Sequence, residues 1–132
     1  MTLYNFKNFT QARNAFNEKA QELESKKAAF DWLAETEDAI FKALPANLQA
    51  AARIEIEAFY PGAVERIAQN LDDAEAWEKA CDNPQILAHD PEAAFNWMSL
   101  ACGAIDEANK DAGRIVEYLN EVYGELLESV QD

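Results

Sequence analysis

The sequence predicts an all-helical, single-domain bundle of about five to seven helices, and three observations carry that expectation. Alanine, the strongest helix former, occurs 25 times in the 132 residues, against four valines. Helix start and stop signals recur along the whole chain. From Ala93 to Ile105 the stretch "AAFNWMSLACGAI" carries no charge. A helix apolar on nearly every side is normally buried on nearly every side, so the segment near residues 91–109 is expected at the centre of the bundle.

In chain order, Phe9, Ala12, Phe16, Leu23, Phe30, Leu33, Ile40 and Leu44 follow spacings of three, four or seven, a helical stripe. It predicts helix from about residue 9 to Leu44, either two helices joined near Ser25-Lys26-Lys27 or, the favoured form, one long helix with a possible bend, ending before Pro45 because proline disfavours helix in the residue before it. A second helix is expected over Ala46 to Phe59, burying Leu48, Ala52, Ile56 and Phe59. Its "RIEIEAFY" (53–60) alternates like a strand, but no other run offers a partner strand. Pro61-Gly62 interrupts the pattern, and Pro61 suits the first position of a third helix ending near Leu71. Asp72 with Glu75 three residues on has capping-box spacing and predicts a short fourth helix to Cys81, followed by a loop from Asp82-Asn83-Pro84. In "HDPEAAF" (89–95), Asp90 is the cap, Pro91 the first helical residue and Glu92 an acid in the positive first turn. The final helix is expected from near Ala112 to about Val130, after a turn holding Asp106, Glu107 and Asp111.

Composition bounds the chemistry. Apolar residues make up 49% and charged residues 27%, enough to build a core within one domain, 1–132. The start lacks an apolar leader segment and no run approaches the roughly 20 apolar residues of a membrane span, so a cytoplasmic location is expected. Cys81 and Cys102 lie in apolar helical contexts that suit buried reduced thiols. The three tryptophans, Trp32, Trp77 and Trp97, and the aromatic start, Leu3, Tyr4, Phe6, Phe9 and Phe16, are expected in the core. His89 is the only histidine and reads as a loop imidazole beside the cap. Its spacing from Cys81 and Cys102 matches no zinc pattern, no glutamate has a histidine three residues later, and no EF-hand loop or phosphate-cradling glycine loop occurs. No enzyme activity, cofactor or metal is expected.

The formal net charge of −14 is unevenly distributed. Residues 1–66 hold eight basic and ten acidic groups, whereas residues 67–132 hold three basic and fifteen acidic groups. Such a field disfavours direct binding to nucleic acid or to an anionic membrane, both of which recruit Lys and Arg. On the last helix Glu117, Glu121, Glu125, Glu128 and Asp132 follow steps of 4, 4, 3 and 4 and share one face, with Ile115, Leu119, Val122 and Leu126 opposite. Like charges at i and i+4 cost about 0.2 to 0.5 kcal/mol each, and acids near a helix C-terminus oppose its dipole, so the face is arranged against local stability. Asp72, Asp73, Glu75, Glu78 and Asp82, with Asp106, Glu107 and Asp111, are the candidates for a second row beside it.

Two such rows would imitate a nucleic-acid backbone. The expected function is an acidic inhibitor that occupies the basic groove of a nucleic-acid-binding protein, as a monomer or homodimer. In charge and size the chain resembles small acidic anti-restriction and anti-CRISPR inhibitors of phages and mobile elements, without a motif match. The alternative expectation is a helical adaptor or assembly protein that binds through an apolar surface, its acids serving solubility.

Overall fold

The computed structural model describes residues 8–131, apart from the side chains of residues 126, 127 and 129–131. Five helices and no strand occur among the described residues: α1 (Phe9–Ala43), α2 (Ala46–Phe59), α3 (Ala63–Cys81), α4 (Pro84–His89) and α5 (Pro91–Gln131). Asn8 caps α1, its side-chain oxygen accepting from the Gln11 N–H at 2.9 Å. Leu44 ends α1 in the extended conformation that a following proline imposes (φ −85°, ψ 142°). The alternating "RIEIEAF" is helical, with Ala52 and Ile56, four apart, turned into the core.

The third helix differs from the expectation in two ways. Tyr60, Pro61 and Gly62 form the turn, and Gly62 at φ +73° supplies the left-handed residue before Ala63, where a side chain would be strained. Asp72 does not cap a new helix: α3 continues to Cys81, and the neighbouring Asp73 accepts a hydrogen bond from Gln69 at 2.9 Å within it. Ala63, Ile67, Leu71, Ala74 and Cys81 keep one face in contact with the rest of the molecule, so breaking the helix at residue 72 would expose part of that stripe. The expected loop after Asp82 holds a short helix, α4, capped by Asn83, and His89 is its last residue. Asp90 caps α5 as expected, its carboxylate accepting from the Ala93 N–H at 3.1 Å.

No turn interrupts α5. The expected central helix and the expected final helix are one element of 41 residues, because Ile105, Ala108, Ala112 and Ile115 form an unbroken buried face. The polar residues between them serve neighbouring helices. Asp106 accepts from Lys26 of α1 at 3.0 Å, and Asp111 takes Arg66 of α3 at 3.1 Å.

α5 is the axis on which the other helices lie. α1 runs parallel to it: Cys102 Sγ donates to the Lys19 carbonyl, Asn109 donates to the Lys26 carbonyl, and Ile40 clusters with Leu119. α3 runs antiparallel, with Cys81 donating to the Ala94 carbonyl and Arg66 meeting Asp111. The core has two parts. One joins Leu23, Ala74, Cys81, Met98, Ala101, Cys102 and Ile105; the other joins Ile40, Phe41, Leu44, Ala52, Ile56, Ile115, Leu119 and Tyr123.

Five apolar side chains expected inside lie outside: Phe9 is 44% exposed, Trp32 62%, Phe59 65%, Val122 49% and Trp77 36%. Phe59 instead packs against Tyr118 at 5.7 Å between ring centroids, and Tyr118 donates to Glu55, a carboxylate that Tyr123 also reaches at 3.5 Å. Leu3, Tyr4, Phe6 and the side chain of Leu126 fall outside the described residues.

Candidate functional site

Helix geometry divides the candidate carboxylates into two sets. At 100° per residue, Glu117, Glu121, Glu125 and Glu128 fall within about 80° of arc on α5, centred about 160° from the buried Ile105. All four are exposed, and no ion pair or hydrogen bond engages them among the described residues. Asp132 lies outside the described residues. The row is about 16 Å long at 1.5 Å rise per residue.

The expected second row is not beside it. α3 lies against residues 94–111 of α5, so its acids stand alongside the other half of that helix. Glu75, Glu78 and Asp82 open onto a cleft of about 570 Å³ between α1 and α3, with Lys27, Phe30 and Asp31 opposite and Ile105 in its lining. That is the face of α5 turned away from the row. Asp72 and Asp73 lie on the remaining surface of α3, Asp72 exposed and Asp73 half-buried.

Most acids of this second set hold a cation. Glu78 pairs with Lys27 of α1, Glu75 with Lys79 at 3.1 Å, Asp106 with Lys26 at 3.0 Å and Glu107 with Lys110 at 3.3 Å. Asp111 is buried, 6% exposed, between Arg66 at 3.1 Å and Arg114 at 3.6 Å. The Lys26 ammonium, by hydrogen bond and charge, lowers the Asp106 carboxyl below its ordinary value. Three cations of the near-neutral first half thus cross to the acidic half, and no ion pair is formed by Asp72, Asp73, Asp82 or the α5 row among the described residues.

Other groups are chemically quiet. Both cysteines are buried and free. Burial, with Asp82 and Glu78 nearby, pushes the Cys81 thiol up to about 11, and burial raises Cys102 as well. A thiol so raised is a poor nucleophile. Among the described residues no group of three or more His, Cys, Asp and Glu side chains is placed to hold a metal ion, and no helix is long and apolar enough to cross a membrane.

Two further surfaces escaped the sequence reading. Trp32, Thr36, Ala39 and Ala43 of α1 and Asn120 of α5 line a shallow groove, and Asn120 flanks the row about 60° around α5 from Glu117. A deeper cleft of about 610 Å³ lies between α1, α2 and the start of α3, lined by Glu37, Phe41, Arg53, Ile56 and Val64 among others. One signal for it was present in the sequence. Glu37 occupies a stripe position between Leu33 and Ile40, where the helical spacing calls for an apolar residue.

Comparison of the chain with family models, with curated proteins and with solved structures finds no match.

Proposed function

We propose that the protein is a cytoplasmic binding protein that occupies a basic groove of a nucleic-acid-binding partner, using Glu117, Glu121, Glu125 and Glu128 in place of phosphates. The supporting observation is that these four carboxylates share one exposed face and form no ion pair among the described residues, Arg114, one turn before Glu117, being paired with Asp111. Their spacing narrows the kind of groove. Charges about 5.4 Å apart, one per helical turn, are far sparser than the one charge per about 1.7 Å of a duplex, and come nearer to the about 3.4 Å of one strand. A groove that tracks a single-stranded backbone with Lys and Arg is therefore the better fit. Occupying it would inhibit the partner.

A second reading has its own support in the exposed Trp32 and the groove beside it. Exposed tryptophan at the edge of a groove is a common anchor in protein interfaces, and an adaptor docking there would use the acids for solubility alone. Pull-down from lysate at low and high salt separates the two. The mimic predicts a nucleic-acid-binding partner that is released by salt and lost on combined reversal of Glu117, Glu121 and Glu125 to Lys. Capture that resists both salt and reversal, but is lost in Trp32→Ala, would replace the mimic by the adaptor.

A further inference from the structure

We propose that the cleft enclosed by α1, α2 and the start of α3 is a binding site for an organic cation, a protonated amine carried on an apolar body. The cleft shares no residue with the α5 row, so the two proposals stand or fall separately. Its volume of about 610 Å³ lies within the roughly 300–1,000 Å³ of small-molecule sites.

Charge and polarity select the ligand. Phe41, Ile56, Ala34 and Val64 give apolar walls, and Glu37, Asp38, Glu57 and Glu65 oppose the single lining cation, Arg53. Low-dielectric walls focus such a field, which repels anions and concentrates cations. Three of the charged groups are already engaged. Asp38 holds Lys42 at 2.7 Å, Glu57 accepts from the Gly62 N–H at 3.1 Å, and the Arg53 guanidinium lies 4.6 Å from the centroid of the Phe41 ring.

Glu37 and Glu65 are left over; Glu65 is exposed, so the group that burial leaves without a partner is Glu37. It is half-buried and has no hydrogen bond or ion pair among the described residues. Burial raises its pKa, Arg53 opposing at longer range and Asp38 adding to the rise. A half-buried carboxylate without a donor is costly, since a desolvated charge needs a partner. A neutral apolar ligand would desolvate it further. An inorganic cation would need the convergent carboxylates that the described residues do not provide. A protonated amine gives Glu37 its donors while its apolar body lies against the exposed Ala34 and Val64, with Ile56 and Phe41 behind them. The chain's own Arg53 over Phe41 already demonstrates that this aromatic face accepts a cation.

The test is an NMR titration of the full chain with benzylammonium chloride, against benzyl alcohol and sodium benzoate. Benzylammonium is expected to shift the Ile56 and Val64 methyl signals saturably, and the alcohol and the benzoate are not. Glu37→Gln, checked for fold by circular dichroism, is expected to weaken binding about tenfold, the usual scale for losing a charge-assisted hydrogen bond. Val64→Arg alters an exposed rim residue and tethers a guanidinium at the mouth, so it is expected to abolish binding. Equal shifts by the alcohol, no saturation, or full affinity in either variant would overturn the proposal. If Glu37→Gln fails to fold, Val64→Arg decides alone.

Discussion

Between residues 72 and 111 five of the eight candidate carboxylates stand against cations, three of those cations arriving from other helices; between residues 117 and 128 four carboxylates of the same type stand against solvent. The first set is part of how α1 and α3 are held to α5. The second contributes nothing comparable, and by repulsion along the helix it costs a little. A carboxylate's contribution here depends on which helix lies beside it, and the two sets should respond to mutation with opposite signs.

The largest effect is expected at the buried end of the first set. Asp111→Ala removes the acceptor of Arg66 and Arg114 and should lower stability by about 1–3 kcal/mol, the range for losing charged hydrogen bonds at a buried site, measured as the urea midpoint. The change should be no greater than that for an exposed residue if the pair is ornamental.

Next comes pH, where Asp106 and Glu37 diverge. Asp106 has a lowered folded pKa, so its contribution is present above its ordinary value of 3.8 and is lost as pH falls through the lower folded value. Glu37 has a raised folded pKa, so its ionisation destabilises the fold as pH rises from 4.5 through the folded value. Stability curves should therefore change in opposite ways: Asp106→Asn removes part of the acid-side loss, and Glu37→Gln removes part of the decline above pH 4.5. Two variants with the same curve as the parent would erase the distinction.

Gly113 lies on α5 between the two sets, and a Cβ there meets nothing within 4 Å. Gly113→Ala should stabilise by about 0.5–1 kcal/mol through helix propensity alone, a rise in melting temperature that checks the continuity of α5 across the expected turn. The smallest effect belongs to the second set. Glu121→Gln relieves like charges at Glu117 and Glu125 and should stabilise by a few tenths of a kcal/mol, about 0.2–0.5 per pair, a gain that added salt should diminish.

Local patterns made much of this fold legible. The α1 stripe, the Pro45 stop and the Asp90-Pro91 start all act through nearest neighbours along the chain, and α2 has the bounds the sequence predicts. Two breaks were misread because the side chains that cap a helix also join helices. Asp72 has the spacing of a cap, but Leu71 and Ala74 beside it pack on the core and carry α3 through; Asp106 to Asp111 have the polarity of a turn, yet their partners, Lys26 and Arg66, lie 80 and 45 residues away. The same distance hid the separation of the two acid sets. Phe59 was expected inside from its helical spacing and Trp32 because it falls within a predicted helix, but spacing locates a face only to within a residue and helix membership locates none. Glu37 was visible as an acid in an apolar stripe, though its cleft needed α2 and α3 folded against α1.

The parallel alignment of α1 and α5 has a consequence for biosynthesis. Lys19 and Lys26 meet residues 80 to 83 positions later, so during translation α1 leaves the ribosome long before its partner exists. At about 5–20 residues per second the wait is roughly 4–16 seconds, with the face of Phe16, Leu23 and Ile40 uncovered. Pairing helices so far apart in sequence closes a long loop, which slows folding relative to bundles that pair neighbouring helices. The nascent first helix therefore waits with an apolar face exposed until α5 covers it.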